Sequence, residues 1–216
     1  MKSALVAIAV FASVAILLNG QQSAPRPETH KVQFPRSCEN SKQIDGKDQL
    51  GKTKAISPSQ RAALIDAISI EFRPGGKIGT PSAEKKLRAT VMETRVTMVD
   101  LNRDGIPEVI AQGSGDESCS PTGNCALWVF MRSGNGFKLI LDKGAVQSFG
   151  ICSSRANGFN DLVLGQHGSA SESEMSIYRF ADGKYRRGPC YDVSFTRLVG
   201  DEVQELEEPD VTPCKR

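Results

Sequence analysis

Apolar positions fall into two regimes along the chain. From Ser57 to Phe72 they recur at helical spacing, with Leu64, Ile65, Ile68 and Phe72 on one face. Ser57 can cap this helix, Pro58 suits its first turn, Gln60 completes a capping box, and Pro74, Gly75 and Gly76 stop it. A second, shorter helix is predicted over Ser82 to Thr90. The pattern then shortens to short runs rich in β-branched and aromatic residues: "RVTMV", "PEVIAQ", "ALWVFMR", "FKLILD", "SFGIC", "DLVLGQ", "EMSIYRF" and "KYRR". Gly, Asn, Asp and Ser separate them, and "SGNG" (Ser133 to Gly136) and "ADG" (Ala181 to Gly183) read as hairpin turns.

The strand region repeats. "DGIPEVIAQGSG" (Asp104 to Gly115) aligns without gaps with "NGFNDLVLGQHG" (Asn157 to Gly168), 53 positions on. Both begin Asp/Asn-Gly-apolar, and an acid follows at Glu108 and Asp161. Phe130 and Phe137 are spaced like Tyr178 and Tyr185. Two copies of one unit are expected, each a loop, a strand, a polar loop and a hairpin. The fold class is α+β: a mainly antiparallel β-sheet built from two degenerate hairpin repeats, with one packed N-terminal helix and disulfide staples. Two repeats are too few to close a propeller, so a small sheet or half-barrel is expected.

The first residues do not join this fold. Lys2 precedes a run of 15 small and apolar residues, Ala4 to Leu18, with polar residues after it. That order reads as a secretory signal peptide over 1–20, too short for a membrane span; an uncleaved anchor is the alternative. Residues 21–56, rich in Gln, Ser, Pro, Lys and Gly, read as an extended polar lead-in. A single globular domain is expected over 57–216, with the helix at 57–72, repeat one at 95–141, repeat two at 148–187 and a tail at 188–216.

Formal net charge is +2 and falls to +1 without Lys2. No basic stripe with interleaved aromatics exists, so neither nucleic acid nor an acidic membrane is an expected partner. All six cysteines lie after the signal, an even count that argues for three disulfides in an oxidising compartment, periplasmic or extracellular. "CSPTGNC" brings Cys119 and Cys125 together around a turn; spacing suggests Cys152 with Cys190 and Cys38 with Cys214. A zinc cluster is disfavoured, since no CxxC occurs and the histidines are His30 and His167.

Candidate chemistry centres on "VDLNRDGIPEVIAQG" (Val99 to Gly113). Calcium takes six to eight oxygens at about 2.3–2.6 Å, and a tight turn aims alternate side chains inward. Asp100, Asn102 and Asp104 fall at those positions, Gly105 allows the bend, Ile106 offers its carbonyl, and Glu108 follows. The alternative is a polar turn whose Asp and Asn side chains bond their own backbone. "DLNRDGIPEV" resembles the calcium loop of FG-GAP and VCBS-type repeats, as in integrin α-subunit propellers. An EF-hand fits less well, because its last ligand position holds Ala111 and a strand follows. Glu108 stands where that family usually has Asp. The chain also resembles exported bacterial proteins sharing a "DLN-DG-PE" loop and a "C-TGNC" turn, a likeness that carries no function. The resemblance implies one structural calcium ion, not two, because the second copy has Ser153, Arg155 and Asn157 where the first has Asp100, Asn102 and Asp104.

Catalytic residues are harder to find. His167 with a nearby Ser and an orienting acid such as Asp161 would suit a hydrolase, yet no nucleophile elbow is present. Glu172 and Glu174 read as a solvated rim, and Trp128 and Phe130 as core more than as a ligand platform with Tyr178. The function expected is a non-catalytic binding or interaction module stabilised by calcium. Its ligand, a protein or a glycan, would be met through loops 113–125 and 165–174. A hydrolase using His167 and an inhibitor of a secreted enzyme are the alternatives.

Overall fold

A computed structural model describes residues 33–39, 41–43, 46, 48–73, 79–169 and 171–214. The expected signal peptide, the lead-in up to residue 32 and the Pro74 to Gly76 helix stop lie outside the described residues. In chain order the elements are α1 (Arg36–Glu39), β1 (Lys42–Gln43), β2 (Asp48–Gln49), α2 (Pro58–Phe72), α3 (Pro81–Glu93), β3 (Arg95–Val99), β4 (Glu108–Gln112), β5 (Cys125–Ser133), β6 (Gly136–Val146), β7 (Ser148–Ala156), β8 (Phe159–His167), β9 (Glu172–Ala181), β10 (Lys184–Val199) and β11 (Glu202–Pro213). No helix among the described residues is long and apolar enough to cross a membrane.

Each repeat is an antiparallel four-strand meander, β3-β4-β5-β6 and β7-β8-β9-β10. They form two sheets rather than the one small sheet or half-barrel expected. The reason lies in β5, which is apolar on both faces. Leu127 and Val129 point into a core shared with Phe149, Leu162, Leu164 and Tyr178 of the second sheet, while Trp128 and Phe130 point the other way, toward α2 and α3. A meander with two apolar faces needs a cover on each.

The copies stack in translation. Ile110 and Val129 of the first sheet face the second sheet. Their counterparts Val163 and Ile177 face outward, onto Cys38 and partly buried Phe34 and Tyr191. Front therefore packs on back, as in a stack of identical layers, and the two outermost faces must be closed by something else. At one end α2 and α3 do this, at the other the α1 segment.

The helix at α2 forms as its sequence dictates. Ser57 accepts from the Gln60 N–H, and Gln60 Oε1 accepts from the Ser57 N–H at 2.9 Å. Leu64, Ile65 and Ile68 are buried, and the Phe72 and Trp128 rings lie 5.1 Å apart. The expectation of one packed helix is incomplete. α3 runs a turn past Thr90, buries Val91 in the same cluster, and is clasped to the end of α2 by Arg73 and Glu84 at 2.7 Å.

Three disulfides staple the fold: Cys38–Cys152, Cys119–Cys125 and Cys190–Cys214. The Cys119–Cys125 expectation holds; the pairing of Cys152 with Cys190 and of Cys38 with Cys214 is corrected. The stretch 188–216 is not a loose tail, because β10 continues into it and β11 folds back along β10. That return sets Pro213 opposite Tyr191 and Cys214 beside Cys190. Cys38, left to the lead-in, meets β7 instead. The described part of that lead-in is itself packed, with Leu50 fully buried.

Candidate functional site

The bend between β3 and β4 holds the predicted metal residues. Arg103 (φ 63°) and Gly105 (φ 84°) take left-handed conformations and turn the chain sharply. The side chains then bond the loop's own backbone. Asp100 accepts from the N–H groups of Asp104 at 3.2 Å and Gly105 at 3.0 Å. Asn102 Oδ1 accepts from Asp104 N–H at 2.9 Å, and its Nδ2 donates to Asp104 Oδ2 at 2.8 Å. Asp104 Oδ1 accepts from Ile106 N–H at 2.7 Å. Glu108, the first residue of β4, is almost wholly buried and accepts the Leu101 N–H at 2.8 Å. Burial pushes its carboxyl above the ordinary carboxylate range; the Leu101 bond opposes this, and Asp104 and Asp100 add to the rise.

In residue type and in charge this bend suits a hard cation. Three carboxylates and an amide oxygen sit on one turn, and the buried one is made costly to ionise first by its burial and then by Asp104 and Asp100. In distance it is looser. Asp100, Asp104 and Glu108 do not bring one oxygen each within 4.8 Å of one another. Among the described residues the trio that does is Glu174, Cys190 and Cys214, whose sulfurs are joined in a disulfide and so cannot ligate.

The equivalent place in the second repeat is built otherwise. Ser153 and Arg155 lie within β7, and the chain reverses in the two residues Asn157 (φ 47°) and Gly158 (φ 86°). The Arg155 guanidinium bonds the Gly158 carbonyl of its own turn and, at 2.8 Å, the Asn102 carbonyl of the first bend. Asn160 N–H donates to the Leu101 carbonyl at 2.9 Å, and the Tyr185 hydroxyl donates to the Asn160 carbonyl at 2.8 Å. Burial, with Glu108 and Asp161 nearby, raises the Tyr185 phenol far above its usual range, so it stays a donor. Asp161, the counterpart of Glu108, accepts from Ser154 Oγ at 2.7 Å and leaves Oδ1 buried without a partner among the described residues.

The β4–β5 loop and the β8–β9 turn meet at the opposite end of the stack; the expected loop 165–174 is shorter than its sequence suggests, because Gly165 to His167 pair with Ser173 to Met175 as strand ends. Buried Asn124 locks them: its Nδ2 donates to the His167 carbonyl and its Oδ1 accepts the His167 N–H, both at 2.9 Å. The Cys119–Cys125 bridge closes the first loop, and Gly113 is required there because a Cβ would meet Ser118 at 2.5 Å. The hydrolase residues are not brought together. Asp161 lies six residues along β8 from His167, about 20 Å in an extended strand. It is engaged with Ser154 and with Arg179 at 3.7 Å. Glu174 pairs with Arg187 at 2.8 Å, a rim contact as expected. Trp128 and Phe130 face the helices while Tyr178 lies between the sheets, so no shared platform exists.

Sequence reasoning missed one feature of this end. The last β9–β10 pair is Ser194 with Glu172. Beyond it β10 continues with β11 alone, from Thr196 opposite Glu205 to Val199 opposite Glu202. This two-stranded arm projects next to loop 165–174, where Phe195 N–H donates to the Ser171 carbonyl at 3.0 Å. It exposes Phe195, Leu198, Val199 and Val203. Its signal was readable: "SFTRLV" and "EVQEL" flank Gly200 and Asp201, and Gly200 takes φ 63°. Compared with models of protein families, with curated proteins and with solved structures, the chain has no match in any of the three.

Proposed function

We propose that this chain is an exported, non-catalytic interaction module that receives its partner, a protein or a glycan, at the end formed by loops 113–125 and 165–174. The observation that carries the reading is the Asn124–His167 lock, which joins the β4–β5 loop of one sheet to the end of β8, beside the β8–β9 turn of the other, on a cross-linked scaffold. Rigid scaffolds presenting irregular loops are where recognition is usually housed. Three disulfides accord with an oxidising, exported setting, periplasmic or extracellular. At the other end the bend of Asp100, Asn102, Asp104, Ile106 and Glu108 holds one structural calcium ion on this reading. The ion would neutralise the acidic bend and add stability only to the folded chain. No step of chemistry runs through it.

The test is capture from culture medium by the immobilised chain, repeated with Asn124→Ala, Thr122→Arg and His167→Ala. Loss of a bound partner with Asn124→Ala and Thr122→Arg, and its retention with His167→Ala, supports the module. An ester or peptide hydrolysis that His167→Ala abolishes would replace it with the hydrolase reading.

A further inference from the structure

We propose that the arm and the outer edge of β11 take up an extended, basic segment of another protein as an added strand. This rests on the interaction reading, whose loops stand beside the arm, and names a partner chemistry for it. Three observations converge. First, β11 is the last strand of its sheet, so across its 12 residues one row of N–H and C=O groups faces no further strand among the described residues. Second, the arm is a two-stranded ribbon with nothing described on either face, a form that is marginal alone in water. Leu198 and Val203 oppose each other across it, 65% and 70% exposed, and Phe195 and Val199 add apolar surface. A strand laid alongside would complete the hydrogen bonding of β11 and set its own apolar side chains next to Val203.

Third, the charge selects the occupant. Asp201, Glu202, Glu205, Glu207, Glu208 and Asp210 crowd this hairpin, against one cation, Arg197, which is already held by Asp210 at 2.6 Å. The chain as a whole carries +2, so the arm is a local acidic patch on a slightly basic protein. A second copy pairing edge to edge would set Glu against Glu, which is unfavourable. Acidic residues and Pro209 on an open edge are also the usual guard against self-pairing. The same charges attract an extended segment in which Lys or Arg alternates with apolar residues. Its backbone would bond the β11 edge, its apolar positions would lie beside Val203, and its cations, on the other face, would reach Glu202, with the remaining acids of the hairpin adding attraction at longer range. The guard therefore rejects copies of this chain while admitting a partner of opposite charge.

The experiment titrates the full folded chain into a labelled peptide of alternating Lys and Val, followed by fluorescence anisotropy at low and high salt. Controls are a peptide of the same composition with Lys and Val in separate blocks, and a Glu/Val alternating peptide. Binding of the alternating basic peptide is expected, weakened at least tenfold by high salt. The block peptide should bind at least tenfold more weakly, and the acidic peptide should not bind. Two variants should each weaken binding at least tenfold: E202Q/E205Q/E207Q/E208Q, which removes charge, and L198S/V203S, which removes the apolar pair. Far-ultraviolet circular dichroism and retention of the Cys190–Cys214 bridge check that each variant folds. Equal binding of block and alternating peptides, or unchanged binding by both variants, overturns the proposal. So does self-association of the wild-type chain in sedimentation velocity that L198S/V203S abolishes. If the peptide fails while loop-dependent capture from medium persists, the arm chemistry is wrong and the interaction module stands.

Discussion

The stretches Asp104–Gly115 and Asn157–Gly168 start with the same Asp/Asn-Gly-apolar triplet, yet the chain arrives at each differently. In the second repeat β7 and β8 pair again at the tip after an irregularity between Ile151 and Arg155, with Arg155 opposite Asn160 and Ala156 opposite Phe159, and two left-handed residues reverse the chain. In the first repeat pairing stops at Val99 opposite Glu108, and the chain between them swings out as a loop. The glycine does the same job in both, so it is not the cause. The cause is what precedes it. Asp100, Asn102 and Asp104, with Glu108 beneath, offer acceptors to the N–H groups of Leu101, Asp104, Gly105 and Ile106. A strand would have satisfied those groups by pairing. The Ser153 hydroxyl is turned to the Ser37 carbonyl and Arg155 has only donors, so neither takes up N–H groups of the turn, and the hairpin closes tightly. Arg155 then brings a guanidinium to the edge of the acidic bend, so the second repeat supplies a fixed cation next to the place where the first gathers negative charge.

The largest expected effect concerns the covalent tie that only the second repeat's first strand has. Replacing Cys38 and Cys152 by Ala opens a link across 114 residues and should cost about 4–5 kcal/mol in urea denaturation. Replacing Cys119 and Cys125, six residues apart, should cost about 2 kcal/mol. Next come the paired acids. Glu108→Ala strands the Leu101 N–H under the bend and should cost about 2–3 kcal/mol, whereas Asp161→Ala removes a carboxylate with an unsatisfied oxygen and should cost about 1 kcal/mol. Glu108→Gln keeps an acceptor for Leu101 and loses the repulsion from Asp104 and Asp100, so it should melt at or above wild type without calcium. Equal losses for Glu108→Ala and Asp161→Ala would show that the two acids play one role. Smaller still, Gly105→Ala and Gly158→Ala should each cost about 1 kcal/mol in thermal melts. Both glycines have positive φ and a new Cβ would touch nothing, leaving only the backbone penalty. Arg155→Ala removes an exposed guanidinium from two carbonyls and should move stability by less than about 1 kcal/mol.

The strands of both meanders were legible because each has one face or both in a core, and burial writes period-two or continuous apolar runs. Arg95–Val99 matches its predicted run residue for residue, and the turn at Asp182-Gly183 falls where its residues put it. The capping box at Ser57 was legible because it is local. Of β11 only the turn at Gly200-Asp201 and the start of the strand left a signal; its continuation to Pro213 did not, since Glu205, Glu207 and Glu208 leave no alternation on a strand exposed to water. β1 and β2 are too short to show a period. Which cysteines pair was hidden for the same reason as β11, since the return of that strand decides where Cys214 lies. At the bend, the identity of the polar residues was readable. That Glu108 would turn beneath Leu101 was not, because it depends on the path of the bend, and that Arg155 would reach Asn102 was not, because it depends on how one repeat lies against the other. The translated stacking also explains the helices. With only two layers, each outer face needs a cover, and α2 with α3 at one end and the α1 segment at the other supply it.

On the proposed reading the first bend differs from the second in holding calcium. That difference is tested most directly by thermal melts of the wild type and of Asp104→Ala, each in about 10 mM calcium and in chelator. If the bend binds with a Kd of about 10⁻⁴ M, as exported modules often do, calcium adds about 2.7 kcal/mol to the folded wild type. That corresponds to a rise of roughly 5–10 °C in Tm, and Asp104→Ala should show none. Identical melts for both proteins in calcium and in chelator would contradict the claim and leave the bend a turn held by its own side chains.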